Sequence, residues 1–355
     1  MIRIGIVGCG HIGTVHSFAL RQLCDAGLVD AGVVATFDPD RERSQRMADH
    51  HGARATATLD ELVDDVDVVW VCTWTAAHLE AVDAAVGRGR AVFCEKPLAP
   101  TLELAEQLAA RLDEVPHQVG LVLRHAPVFA TIAELVASGR YGRPMATVLR
   151  DDQYFPIQGQ YASSWRADVA TAGGGTLIEH SIHDIDVLRW ILGDPVDVAA
   201  RTTARFGHPG IDDVATLTLR YGDGGSATIV SVWHQILSRE SSRRLEVFCE
   251  DGLLWADDDY LGPVHVQTSA GVEVRELAPP AWIDSLSVPE VYAKALAAYA
   301  TPTKAFLDAL AASGSSAAGH PDAATALAAH HLVDRAYASA AAGGAPKLAV
   351  SADDG

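Results

Sequence analysis

Cysteine is scarce in this chain and is not arranged to cross-link it. The five cysteines include no CxxC pair, and four of them lie within the first 94 residues, mostly in apolar strands or on helix faces. A buried thiol of this kind acts as a small hydrophobic group. The pattern excludes a disulfide framework and indicates a reducing compartment for Cys9, Cys24, Cys72, Cys94 and Cys249.

Positive charge is scarce as well. The chain has 27 lysine and arginine residues against 46 aspartate and glutamate residues, and its formal net charge is −19. That balance repels nucleic acid and anionic membrane surfaces. No apolar run reaches membrane-spanning length, and a strand already begins at Ile2, where a signal peptide would otherwise lie. We expect a soluble cytoplasmic protein with neither nucleic acid nor membrane as a partner.

Hydrophobic residues make up 49% of the 355 positions, enough for two domains with separate cores. In residues 1–124, helical segments separate apolar strands, which fall near residues 2–7, 31–38, 66–72, 91–94 and 118–123. Strands separated by helices predict an α/β domain with a doubly wound parallel sheet, the Rossmann fold.

The pattern changes in residues 125–355. After a strand at residues 144–151 come a loop at 152–172 and one helix at 173–192. Consecutive apolar or alternating runs follow, and two alanine-rich helices near residues 291–313 and 322–342 close the chain. This pattern predicts an α+β domain with an open, largely antiparallel sheet.

A glycine fingerprint, Gly8-Cys9-Gly10-His11-Ile12-Gly13, joins the first strand to the first helix. Gly8 permits a tight turn, Gly10 lets the backbone approach a pyrophosphate, and Gly13 allows close helix–strand packing. Backbone N–H groups at His11 and Ile12 then bind phosphate. The alternative is a glycine-rich turn that binds no ligand.

Asp38 ends the second predicted strand, where a dinucleotide places its adenosine ribose. A carboxylate there accepts from the ribose hydroxyls and repels a 2′-phosphate, which favours NAD over NADP. Arg41 and Arg43 follow closely and either soften that preference or form an ordinary solvated helix start.

Lys96, in Glu95-Lys96-Pro97, falls at the carboxyl end of an apolar strand, where open α/β sheets bind ligands. An ammonium group beside an apolar strand must either pair with an anion or have a role in binding or catalysis. A surface lysine before a turn proline is the simpler alternative.

The helix predicted at residues 173–192 puts Glu179, His183 and Asp186 on one face. A carboxylate beside an imidazole fixes its tautomer and raises its basicity, as a general base requires. A salt-bridged amphipathic helix is one alternative. A metal site that also uses His180 is another, but no second ligand cluster supports it, and we expect no metal.

Together these motifs resemble the glucose–fructose oxidoreductase / inositol dehydrogenase / MocA (Gfo/Idh/MocA) family of nicotinamide-dependent sugar oxidoreductases. The resemblance covers nearly the whole chain and implies hydride transfer between NAD and one carbinol of a sugar or cyclitol. It implies Lys96 and His183 at the reacting hydroxyl, with Glu179 where the family has aspartate. It also implies a homodimer or homotetramer formed through the exposed face of the second sheet.

The resemblance adds cofactor residues at Thr73, Trp74, His78 and Glu95. Trp74 replaces the proline common in relatives, and its indole packs on the cofactor, walls the pocket or simply fills the core. His78 is either a cofactor contact or a helix cap.

Residues 152–172 carry aromatic and amide groups suited to a sugar ring. We expect this segment to line the pocket with aromatic and polar side chains, namely Tyr154, Phe155, Tyr161, Trp165, Gln153, Gln158, Gln160 and Arg166. The other expected substrate contacts are Arg124, His125 and His180. The alternative for the segment is a dimer-contact arm.

Two other functions remain open from the sequence. Some relatives cleave a glycosidic bond through transient NAD-dependent oxidation. Others keep the fold as a nucleotide-sensing regulator without catalysis.

Overall fold

The computed structural model describes residues 1–286, 288–313 and 319–349, apart from the side chains of residues 290–295 and 313. Among these residues, no helix is both long and apolar enough to cross a membrane. The chain forms two compact units. The first comprises Met1–Val122 and Pro279–Leu327, and the second comprises Leu123–Ala278 and Ala328–Gly355. The helical segment near residues 290–313 thus clusters with the amino-terminal sheet.

The elements through the first sheet alternate along the chain. They are β1 Ile2–Val7, α1 His11–Asp25, β2 Ala31–Phe37, α2 Arg41–His51, β3 Arg54–Ala55, α3 Leu59–Asp64, β4 Val68–Val71, α4 His78–Val86, β5 Ala91–Cys94, α5 Leu102–Leu112 and β6 His117–Val119.

The later elements begin with helices around one long strand and continue as a run of strands. They are α6 Pro127–Ala137, β7 Pro144–Tyr154, α7 Val169–Ala172, α8 Thr176–Glu179, α9 Ile182–Leu192, β8 Asp197–Thr203, β9 Val214–Arg220, β10 Ser226–His234, β11 Ser242–Cys249, β12 Leu253–Ala256, β13 Val264–Thr268, β14 Gly271–Arg275, α10 Glu290–Ser313, α11 Ala323–Ala341 and β15 Lys347–Leu348.

The first sheet has six parallel strands in the order β3-β2-β1-β4-β5-β6. β4 and β5 are buried at every position because helices cover both faces. On one face, Phe306 of α10 packs against Trp70 of β4 and Phe93 of β5, at ring-centroid distances of 5.8 and 6.3 Å. The doubly wound parallel sheet predicted from the sequence is confirmed.

The second sheet has nine strands in the order β14-β13-β12-β11-β7-β10-β9-β8-β15. Every adjacent pair is antiparallel except β7 and β10, which run parallel. Burial alternates along β10, so one face of the sheet packs against helices while the other is partly exposed. The predicted open, largely antiparallel sheet is confirmed.

Two local predictions are wrong. The strand expected at residues 118–123 ends at Val119, and a 3-10 turn at Val122–His125 carries Arg124 and His125. The single helix expected at residues 173–192 is two helices, α8 and α9, because the chain leaves helical geometry at His180 (φ −121°, ψ −55°). An apolar periodicity alone did not reveal either break.

The segment at residues 152–172 is also more ordered than a loop. β7 continues through Tyr154, and α7 forms its last four residues. The sequence did not predict α6 or β12, and both lie in the second unit.

Candidate active site

The glycine fingerprint forms the turn between β1 and α1. A Cβ on Gly8, whose φ is +90°, would lie 2.6 Å from the Cys72 backbone, and one on Gly13 would lie 2.1 Å from the Gly8 carbonyl oxygen. Gly10 has open space around its Cβ position and caps α1 without a side-chain hydrogen bond. An open backbone at the start of a helix fits a dinucleotide pyrophosphate. His11 and Ile12 form the first turn of α1.

Asp38 follows β2 directly and is held by the backbone. Its Oδ2 accepts from Cys9 N–H at 2.7 Å, and its Oδ1 accepts from Asp40 N–H at 2.8 Å. The carboxylate is half-buried, and each oxygen has a second lone pair for a ribose hydroxyl. Arg43 pairs with Asp40 at 3.2 Å, which leaves a surface ion pair of little energetic weight at this helix start.

The Glu95-Lys96-Pro97 turn follows β5 and is held by two histidines. His16 Nε2 lies 2.8 Å from Glu95 Oε1. His78 Nδ1 lies 2.9 Å from the Pro97 carbonyl oxygen, and its Nε2 lies 3.3 Å from that of Thr73. The His78 ring therefore joins the turn after β5 to the loop after β4. Its role as a direct cofactor contact stays a prediction.

Trp74 lies in the loop after β4 and is 41% exposed, which excludes the core-filling interpretation. Its proposed role beside the cofactor or the pocket stays a prediction.

In the second unit, the three glycines before α8 form a tight turn around Asp212. A Cβ on Gly175 would lie 1.8 Å from the Asp212 carbonyl oxygen. The Asp212 carboxylate accepts from Gly175 N–H at 2.8 Å, Leu177 N–H at 3.0 Å and Tyr337 O–H at 2.8 Å. Burial raises the pKa of Asp212 despite these hydrogen bonds. The carboxylate fixes where α8 begins.

Glu179 ends α8 and is buried against Arg166, whose Nε donates to its Oε2 at 2.9 Å. Because the helix breaks after Glu179, the predicted placement of Glu179 and His183 on one helical face is wrong. The Arg166 guanidinium also stacks on Trp165, 4.3 Å from the ring centroid. Glu179 thus helps to fix a residue of the expected pocket segment.

His183 lies on α9, buried, three residues before Asp186. Asp186 is also buried and accepts two hydrogen bonds from Arg124, both at 2.8 Å. This fork-on-fork pair joins α9 to the 3-10 turn that carries Arg124.

His180 connects α8 and α9 and belongs to a buried polar network. Arg243 donates to His180 Nε2 at 2.9 Å, so the ring hydrogen lies on Nδ1, which is 2.8 Å from Asp151. Arg243 also bonds Asp184 at 2.8 Å. Burial raises the pKa of Asp151, and burial followed by repulsion from Asp151 raises the pKa of Asp184 to about 6. His180 Nε2 accepts from Arg243 while Nδ1 lies near Asp151, and the contact of His180 with substrate stays a prediction.

The two carboxylates of the alternative metal site are already paired with arginines. Glu179 pairs with Arg166 and Asp186 pairs with Arg124. In the part of the chain that the structure describes, no group of three or more histidine, cysteine, aspartate and glutamate side chains is arranged to hold a metal ion.

One aromatic residue of the expected pocket belongs to the core instead. Phe155 is buried against Trp233 and Phe206, so its assignment to the pocket is wrong. Tyr161 packs near Tyr154, with ring centroids 5.3 Å apart. Tyr161, Trp165 and His125 are half-buried, and their substrate roles stay predictions.

Sequence reasoning did not select several polar residues that shape these segments. His16 carries a weak signal, because it lies three residues after Gly13 on the fingerprint helix. No sequence signal marks Asp212, Arg243 or Tyr337, because each lies far along the chain from the groups it binds.

A Rossmann sheet with a nucleotide fingerprint and a lysine at a strand end, joined to an open mixed sheet, defines a two-domain dinucleotide-dependent oxidoreductase. The model of the oxidoreductase family with an NAD-binding Rossmann fold matches residues 2–122, and the GFO/IDH/MocA C-terminal domain matches residues 129–255. The chain belongs to the Gfo/Idh/MocA family of NAD-binding oxidoreductases.

Two relatives and one solved structure illustrate the similarity. Myo-inositol 2-dehydrogenase of Thermotoga maritima is 30% identical over 72% of this chain and 75% of its own length. The 1,5-anhydro-D-fructose reductase of Ensifer adhaerens is 34% identical over 54% of this chain. The matched region covers 59% of that relative's length. A structure of levoglucosan dehydrogenase with NADH and L-sorbose superposes with a TM-score of 0.85 at 19% identity, covering 99% of both chains.

We predict that Asp38 makes the protein prefer NADH to NADPH by at least about tenfold in dissociation constant, or roughly 1.4 kcal/mol. The cause is repulsion between its carboxylate and a 2′-phosphate. Asp38→Ser should weaken NADH binding and narrow the gap, as measured by nucleotide fluorescence titration. Asp40→Ser keeps an N-cap and serves as the control. Equal binding of both nucleotides by the wild type would remove Asp38 from the ribose site.

Proposed function

We propose that the protein catalyses reversible hydride transfer between NAD and one carbinol carbon of a neutral sugar or cyclitol. Family membership supports the reaction class, and the names of the inositol and anhydrofructose relatives support this substrate class. The carrying observation is that Lys96 stands on a strand-end turn held by two buried histidines, an arrangement suited to a group that must keep one position.

The chemistry that NAD supplies when bound is acceptance of the hydride. In our proposal His183 takes the hydroxyl proton, and Lys96 donates a hydrogen bond to the same oxygen as alkoxide character develops.

The charges recorded around α8 and α9 favour an uncharged substrate. Arg124 and Arg166, the two arginines expected to bind substrate, each have a buried carboxylate as partner. Each guanidinium therefore has a carboxylate partner, which weakens its attraction for a substrate carboxylate. Arginine N–H groups can also donate to hydroxyl groups.

We predict that His183→Ala lowers kcat by at least about 10²-fold because the general base is lost. Lys96→Ala should be at least as damaging. NAD binding should stay near normal for His183→Ala, as measured by fluorescence titration beside steady-state kinetics. Unchanged turnover in either variant would remove that residue from the mechanism. As a control, His265→Ala removes a histidine of β13, which stacks on Trp255, and should retain turnover.

We predict that neutral cyclitols and sugars are oxidised with at least about tenfold higher kcat/KM than the corresponding uronic acids, because both arginines are already neutralised. The measurement is NADH absorbance over a matched panel of neutral and acidic sugars. Replacing Glu179 by Gln frees the Arg166 charge and should shift the preference toward acids. A wild-type preference for uronic acids would refute the neutral-substrate assignment.

We also propose that two or four copies associate through the partly exposed face of the nine-stranded sheet. Val148 of β7 and Phe248 of β11 lie on this face and are 37% and 38% exposed. Val148→Glu should produce monomers in light scattering, because a charge would be buried in the interface. Phe18→Glu on α1 is the control. A monomeric wild type, or an unchanged Val148→Glu assembly, would contradict this proposal.

A cytoplasmic location is part of the proposal. All five cysteines are free thiols and four of them are buried, as suits a reducing compartment.

A further inference from the structure

Glu95 is a buried carboxylate immediately before Lys96, and two groups of the first unit hold it. His16 Nε2 lies 2.8 Å from its Oε1, and the backbone N–H of Lys96 donates to its Oε2 at 3.2 Å. Glu95 is 5% exposed and His16 is fully buried. A carboxylate so far removed from water is costly unless donors or cations offset the lost hydration. The ionised form of Glu95 therefore depends on His16.

The geometry around this pair leaves little freedom. The His16 ring meets Phe93 and Tyr299 edge-on, at centroid distances of 5.0 and 5.4 Å. On the carboxylate, a Cβ at Gly120 would lie 2.7 Å from Glu95 Oε1, so only glycine leaves room for it. Glu95 and the chain leaving it toward Lys96 are thus fixed in a closely fitted slot.

The second ring nitrogen of His16, Nδ1, indicates why a histidine occupies this position. Since a carboxylate accepts, Nε2 carries the ring hydrogen that faces Glu95. Nδ1 is buried and has no hydrogen-bond partner within the described residues. An apolar ring would avoid the cost of that nitrogen, so packing alone does not explain a histidine here. Among the described residues, the polar contact recorded for the His16 side chain is with Glu95.

We propose that His16 is a positioning residue which, by holding Glu95, fixes the backbone and the charge environment from which Lys96 acts. The inference rests on the proposed catalytic role of Lys96. It also links the fingerprint helix α1 to the strand end that carries the lysine, through a single hydrogen bond.

Without His16, the Glu95 carboxylate would pair more strongly with the Lys96 ammonium. Burial raises the pKa of Glu95, but the His16 hydrogen bond and the Lys96 charge outweigh it and hold the pKa below its ordinary value. Cys72 and Cys94 also lie near Glu95, and burial raises their pKa values, so both stay neutral. Tyr299 is a further titratable group, and it packs against the His16 ring. Without the His16 hydrogen bond, the Lys96 ammonium is the cation recorded beside Glu95 among the described residues.

The test measures Lys96 without any substrate. The full-length protein is labelled competitively with acetic anhydride between about pH 7 and 10, and Lys96 acetylation is followed by peptide mass spectrometry. His16→Phe should slow Lys96 labelling at least about fivefold near pH 8, because pairing with Glu95 raises the lysine pKa. His16→Gln should restore labelling to within about twofold, since its amide nitrogen lies as many bonds from Cα as Nε2.

His117→Phe is the matched control. His117 is a buried histidine of the same unit, with Nδ1 3.0 Å from the Val115 carbonyl and Nε2 accepting from Ala323 N–H at 3.0 Å. Its replacement should lower the melting temperature and leave Lys96 labelling unchanged. An equal effect in His117→Phe, or wild-type labelling in His16→Phe, would overturn the proposal.

A second variant covers the case in which His16→Phe does not fold. Glu95→Gln removes the negative charge beside Lys96 and should speed its labelling, and an unchanged profile would overturn the proposal. With a substrate from the neutral panel, His16→Phe should lower kcat at least about tenfold with near-normal NAD binding. If no sugar is turned over, the proposed function fails while the labelling result stands on its own.

Discussion

A carboxylate withdrawn from water must meet a hydrogen-bond donor or a cation, and this requirement organises both units of the protein. Glu95 meets His16, Glu179 meets Arg166, and Asp186 meets Arg124. Glu95 directly precedes Lys96, and Asp186 lies three residues after His183 on α9. The buried charges thus hold the backbone next to groups that must keep their places during a reaction.

Most of these pairs join residues far apart in the chain. Asp186 and Arg124 are separated by 62 positions, and Glu95 and His16 by 79. A local pattern such as spacing on one helix cannot reveal such partners. The sequence therefore led to Glu179 and His183 as neighbours, whereas the structure gives Glu179 an arginine and breaks the helix between them.

Most of the first sheet was predictable because its longer strands are short apolar runs separated by helices, and several helix ends carry glycine or a capping residue. Thr101, for example, caps α5 by accepting a hydrogen bond from Leu104 N–H. The fingerprint and Asp38 were found for the same reason, since their motif is contiguous with these elements. The break at His180 was not found, because it depends on Asp212 and Arg243, which come from later parts of the chain.

The first unit is built from two separate stretches of the sequence, and this affects how it folds during synthesis on the ribosome. Trp70 and Phe93 leave the ribosome early, but Phe306, which packs against both, is synthesised more than two hundred residues later. Until α10 emerges, one face of the nascent Rossmann sheet lacks part of its apolar cover. The nucleotide-binding unit is therefore begun first but completed late, after eight of the nine strands of the second sheet, β7 to β14, have been synthesised.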